Sequence, residues 1–83
     1  MFIHLGGDVA ITDDDLVAVI NADLIRKNAS IAQCLTLATG EGTLKDLSNG
    51  MPKAVVITKK AVYLSPIAPS TLKKRTQEGY GAL

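Results

Sequence analysis

The chain is poor in the residues that usually staple a short domain or do its chemistry. Of 83 residues one is cysteine, Cys34, and one is histidine, His4. A single cysteine excludes an intrachain disulfide and a cysteine-rich zinc site, and a single histidine limits other metal ligation. Tryptophan is absent and aromatics make up only 4%, whereas hydrophobic residues reach 47%. The core is therefore aliphatic, and the chain is too apolar to be disordered. No apolar run approaches the roughly 20 residues that span a bilayer. Met1-Phe2-Ile3-His4-Leu5 is apolar, but it has no basic n-region and runs into Gly6-Gly7-Asp8, unlike a signal peptide. A lone thiol without an export signal fits a cytoplasmic protein. The length makes one domain, 1–83. A core this small contributes only about 3–5 kcal/mol, so self-association is the remaining common aid to stability.

Charge is scarce in net terms, +1, but unevenly placed. Residues 1–41 carry two bases and six acids, and residues 42–83 carry seven bases and two acids. Such asymmetry fits an anionic partner such as nucleic acid. It equally fits the acidic half of one copy meeting the basic half of the next, or two ordinary solvated surfaces.

The pattern predicts a short strand over residues 1–5, a turn at Gly6-Gly7-Asp8 and a strand over Val9–Thr12. Asp13-Asp14-Asp15 interrupts, and Leu16–Ile20 reads as a buried strand. Ser30 and Gln33 have the spacing of a capping box, so a helix starts at Ser30. Its apolar face is Ile31, Cys34, Leu35 and Ala38, which makes Cys34 a buried packing residue, and Gly40-Glu41-Gly42 ends it. Thr43–Leu47 reads as a short strand, and Ser48-Asn49-Gly50 as a turn of the kind that joins hairpin strands. Ala54–Thr58 and Ala61–Ser65 form a hairpin across Lys59-Lys60, although two lysines are poor chemistry for a two-residue turn. Pro66 and Pro69 stop the second strand, and a short helix over 69–77 carries Lys73, Lys74 and Arg75 before a frayed tail, 79–83.

Little of this is catalytic. The Asp13–Asp15 triplet lacks the spacing of an EF-hand and reads as a solvated turn. Gly6-Gly7 and Gly40-x-Gly42 match neither the dinucleotide fingerprint nor the P-loop. Nothing in the sequence activates Cys34 as a nucleophile, and His4 hydrogen-bonds locally or faces water. The chain is not read as an enzyme, and no cofactor, metal or small-molecule substrate is expected. What remains is cationic: Lys53, Lys59, Lys60, Lys73, Lys74 and Arg75. Such side chains neutralise phosphates without reading sequence.

The ordered set Phe2-Ile3-His4-Leu5-Gly6, Asn49-Gly50 with Pro52-Lys53, Val55-Val56-Ile57-Thr58, Tyr63-Leu64-Ser65-Pro66 and Ser70-Thr71-Leu72-Lys73-Lys74-Arg75 resembles the RemA/RemB family of bacterial extracellular-matrix (biofilm) regulators, the RemB branch most closely. The likeness runs through nearly the whole chain and is thinnest from Asn21 to Leu47. It implies a cytosolic, non-enzymatic regulator of matrix genes with a LytTR-like fold. It also implies ring assembly, with arginines presented to DNA in RemA-type members. Those members carry an arginine pair after the glycine matching Gly50, where this chain has Met51 and Pro52. Another arginine of that branch falls near Asp14 or Asp15, so the charge there is reversed. Without those guanidiniums the chain lacks their phosphate contacts and their bidentate reading of guanine.

The expectation is therefore an α+β, β-rich domain of antiparallel strands with one central helix and a short C-terminal helix. It is a homo-oligomer that regulates matrix genes through duplex DNA, by way of the six basic residues above. The alternative is an oligomeric scaffold or protein-interaction module that does not bind DNA. No membrane partner is expected.

Overall fold

A computed structural model describes residues 2–81, with residues 77–81 described by their backbone alone. The first expected strand is β1, Phe2–Gly6; Met1 lies outside the described residues. It pairs antiparallel with β2, Val9–Thr12, with Ile3 opposite Ile11. At Gly6 (φ 122°) a Cβ would lie 2.9 Å from Pro66 Cδ, so backbone conformation and close approach both require glycine.

After a 3-10 turn at Asp13–Asp15 the chain enters a second sheet. Its strands are β3 (Leu16–Asn21), β4 (Leu44–Asp46), β5 (Ala54–Thr58) and β6 (Val62–Ser65), in the order β3-β5-β6-β4. β5 runs antiparallel to both neighbours, but β4 is parallel to β6, so the sheet is mixed rather than wholly antiparallel. The Ser48–Gly50 turn reverses the chain as expected, yet it does not join a hairpin. The tight β5–β6 connection places β6 between β4 and β5.

The central strand explains the layering. Val55 and Ile57 face one way, with Val62, Leu64, Ile20, Ala22, Leu35 and Ala38. Ala54 and Val56 face the other, with Ile3, Leu5, Ile11 and Leu72. A strand buried on both faces reads as a continuous apolar run. The β1–β2 hairpin and the C-terminal helix therefore cover one face, and the central helices the other. β3, expected to be buried, is an edge strand. A bulge between Leu16 and Ala18 leaves Val17 61% exposed. Bulges twist an edge away from unwanted pairing.

Two helices replace the single expected central one: α1, Leu24–Lys27, and α2, Ala29–Glu41. The cap of α2 is Asn28 rather than Ser30. Asn28 is extended and its Oδ1 accepts the Ser30 and Ile31 N–H groups at 2.9 and 3.3 Å. Asparagine ranks with serine as a cap, so the better-placed residue takes the role. Gly42, in the left-handed region (φ 74°), ends the helix as expected. Cys34 is exposed, not buried. Only a narrow stripe centred on Leu35 and Ala38 meets the sheet, and Cys34 lies one residue, about 100°, around from Leu35. The last helix, α3, spans Pro69–Gly81, starting at Pro69 as expected and running beyond residue 77; Ala82 and Leu83 of the expected tail lie outside the described residues. Among the described residues no helix is long and apolar enough to cross a membrane.

Ser65 links the layers. Its side chain, fully buried, donates to the Leu5 carbonyl of β1 and accepts the Ile67 N–H at 3.1 Å. Ser65→Ala would leave the buried Leu5 carbonyl without this partner, at a cost of about 1–3 kcal/mol. Urea denaturation followed by circular dichroism should show that loss. An unchanged midpoint would show that the hairpin is docked by apolar contact alone.

Candidate nucleic-acid interface

The basic residues are not gathered at one place. Lys53 immediately precedes β5, whereas Lys59 and Lys60 follow it at the hairpin tip. About 20 Å of extended chain separates Lys53 from Lys59. All three lysines are exposed.

The tip resolves the poor turn chemistry of two lysines. The Thr58 hydroxyl accepts the Lys60 and Ala61 N–H groups at 3.3 and 3.0 Å and donates to the Ala61 carbonyl at 2.7 Å. A side chain thus does the bridging that a glycine-containing turn leaves to the backbone. The Lys59 N–H donates to the Asp15 carbonyl at 3.0 Å, which seats the tip beside the acidic Asp13–Asp15 turn.

The Lys73-Lys74-Arg75 run fans around α3, because successive helical residues are about 100° apart. Leu72 points into the core. Lys73 borders the groove between α3 and β3, beside Leu16, Val17, Ala18, Val19 and Thr76. Lys74 is exposed. Arg75 is half-buried and its Nη1 donates to the His4 carbonyl at 2.8 Å, tying α3 to β1. A guanidinium bonded to a backbone carbonyl is anchored, and it is less available to a phosphate. His4 itself makes a local bond: its Nε2 lies 2.8 Å from the Gly7 carbonyl oxygen.

At the Lys53 end the chain is held from both sides. The Lys53 N–H donates to the Ser65 carbonyl at 2.9 Å, and its own carbonyl accepts the Ala22 N–H at 3.1 Å. Upstream, the Asp46 carboxylate accepts the Ser48 hydroxyl and N–H and the Gly50 N–H, the last at 3.0 Å. The Ser48 hydroxyl, then its N–H, hold the Asp46 carboxyl below its ordinary range, with the Gly50 N–H adding to them and burial opposing. Between these anchors Asn49 (φ 56°) and Gly50 (φ 84°) turn the chain, and Met51 stands 80% exposed. Arg26 of α1, outside the basic set expected from the sequence, borders one open cleft with Met51, Pro52 and Lys53. Only the closing of β3 onto β5 brings positions 26 and 53 together, so no local pattern in the sequence marks the pair. Among the described residues no group of three or more His, Cys, Asp or Glu side chains is placed to hold a metal ion.

Fold and surface together define a small α+β domain with separate cationic points rather than one basic face. Residues 2–76 match the RemA-like family model, described as extracellular matrix regulatory protein A-like. Extracellular matrix regulatory protein B of Bacillus subtilis (strain 168) is 35% identical over 77 residues, covering 93% of this chain and 91% of the relative. The chain belongs to the RemA-like family of extracellular matrix regulatory proteins.

Two variants separate anchoring from ligand contact. Arg75→Ala should lower stability by about 1–2 kcal/mol, because it removes a charge-assisted bond. Lys74→Ala should stay within about 0.5 kcal/mol of wild type. Equal midpoints in urea would show Arg75 to be as free as Lys74. The Asp46 cap predicts a pH dependence. Its folded pKa is depressed, so its stabilisation is present above the unfolded value of about 3.9 and is lost as pH falls through the folded value. The stability gap between wild type and Asp46→Ala should therefore be widest near neutrality and close progressively below about pH 4. A gap constant down to strongly acid pH would rule out the charged cap.

Proposed function

We propose that the chain is a non-enzymatic, self-assembling regulator of extracellular-matrix gene expression that engages duplex DNA through cationic points repeated around the assembly. The observation that carries this reading is the family match over residues 2–76. The relative's name supplies the matrix-regulatory role.

Physical features support the finer parts. Lys53, Lys59, Lys60, Lys73 and Lys74 are exposed and form no ion pair among the described residues. One copy offers too few phosphate contacts for tight binding at physiological salt, but several linked copies gain by effective concentration. Self-assembly draws support from the exposed apolar side chains Phe2, Val17, Leu37 and Met51 on a chain of only 83 residues. The acidic and basic halves add complementary charge for contacts between copies.

The second reading, an assembled scaffold that does not touch DNA, has its own support. Asp13–Asp15 lie beside the Lys59-Lys60 tip, and Arg75 is already committed to His4. Fluorescence anisotropy with a random-sequence duplex, titrated with NaCl, separates the two. The DNA reading expects steep salt dependence. In the double variants Lys59→Ala/Lys60→Ala and Lys73→Ala/Lys74→Ala, the slope of log K on log salt should fall by about 0.9 for every phosphate the missing lysines had neutralised. Assembly by analytical ultracentrifugation with no DNA retention at low salt would select the scaffold. A monomer at micromolar concentration would remove the self-assembling part of both.

A further inference from the structure

The two edges of the larger sheet are guarded unequally. β4 is three residues long and exposes Lys45 and Asp46. Shortness and charge protect an edge from stray pairing. β3, at the other edge, is six residues long, and Leu16–Ile20 contains neither charge nor proline. A continuous aliphatic run of this kind suits a strand covered on both faces. Yet no residue of β3 is buried. The bulge between Leu16 and Ala18 disturbs the start of the strand, and from Ala18 to Asn21 the register is regular.

The free edge also has main-chain groups to offer. The Ala22 N–H donates to the Lys53 carbonyl. By the alternation of an antiparallel ladder, the N–H and C=O groups of Val19 and Asn21 therefore point away from β5. Among the described residues no backbone hydrogen bond outside the ladders reaches residues 16–21.

Helix α3 turns this edge into a groove. Lys73 and Thr76 form one wall and Leu16, Val17 and Val19 the other, around an open cleft of about 290 Å³. Among the described residues Lys73 is the one charged side chain bordering the cleft; it is exposed and forms no ion pair.

We propose that this groove takes an extended segment of a partner protein. The segment pairs with β3 as an added strand, sets aliphatic side chains at alternate positions against Val17 and Val19, and places a carboxylate on Lys73. Strand addition at an exposed edge is a recurring mode of peptide capture, in which main-chain bonds supply affinity and alternate side chains supply selectivity. The charge of the groove selects the occupant. Its walls are aliphatic and its single charge is positive, so an acidic and aliphatic segment complements both. A second copy of the chain complements them poorly. Antiparallel pairing of β3 with the β3 of another copy would draw the two α3 helices together on one face, Lys73 towards Lys73. It would also turn the Asp13–Asp15 segment of each copy towards Asp23 of the other. Like charges set opposite each other disfavour that pairing. The inference is independent of the DNA reading.

A display library of random decapeptides, selected on the full-length protein, tests it. Enriched peptides should alternate aliphatic residues and carry Asp or Glu at one fixed position. An enriched peptide, made synthetically, should slow amide exchange at Val19 and Asn21 by about tenfold or more. Exchange at Ile20 and Ala22, which already face β5, should change little. Val17→Lys should weaken binding. Lys73→Glu should weaken it about tenfold or more, and the same peptide with its acid replaced by lysine should then bind Lys73→Glu more tightly than wild type. Circular dichroism and urea midpoints verify that each variant folds, and the exchange measurement needs no variant. A selection without enrichment, or peptides that protect amides away from residues 16–21, overturns the proposal. Affinity untouched by Lys73→Glu overturns the acidic partner. Protection of Val19 and Asn21 that rises with protein concentration in the absence of peptide overturns the proposal in favour of pairing between copies.

Discussion

Strand β5 has apolar side chains on both faces, and every other element is placed by the need to cover them. Val55 and Ile57 require the central helices on one side; Ala54 and Val56 require the β1–β2 hairpin and Leu72 of α3 on the other. With only 83 residues there is no spare layer. Each cover is thin, and the hairpin and α3 are docked by specific polar contacts in addition to apolar burial. Ser65 bonds the Leu5 carbonyl on the hairpin, and Arg75 bonds the His4 carbonyl from α3. Both reach the same short strand, β1, so the N-terminal hairpin and the C-terminal helix are stabilised together.

This architecture also settles how the basic residues are arranged. A lysine at the start of β5 and two at its end lie on different parts of the surface, because the strand between them is the core. A run of three cations on a helix that inserts Leu72 into the core must splay in three directions. The sequence therefore overstates the Lys73–Arg75 run as a patch, and it understates Arg26, whose companion Lys53 is distant in the chain.

Much of the fold was legible from the residues. Turn glycines, the apolar runs of β2, β5 and β6, the Gly42 stop and Pro69 at a helix start are local signals, and they read correctly. Non-local facts did not read. The position of β6 between β4 and β5, and hence the parallel pairing, depends on competition for one strand edge. The bulge at Val17 is invisible in a run of branched residues, which made an edge strand look buried. Asn28 and Ser30 are both good caps, and the extended backbone at Asn28 decides between them. Cys34 shows the limit of helical periodicity, since a face one residue too wide places an exposed thiol among core positions. The six-residue basic set followed composition, and composition carries no direction.

The loop between β4 and β5 has a different kind of consequence. Its conformation is secured by the Asp46 carboxylate, two left-handed residues and the main chain of Lys53. None of these contacts uses the side chain of Met51. Position 51 is thus mechanically decoupled from folding, a socket whose occupant can be exchanged while the scaffold stays intact. In such a frame the side chain at position 51 can change without any rebuilding of the loop that carries it.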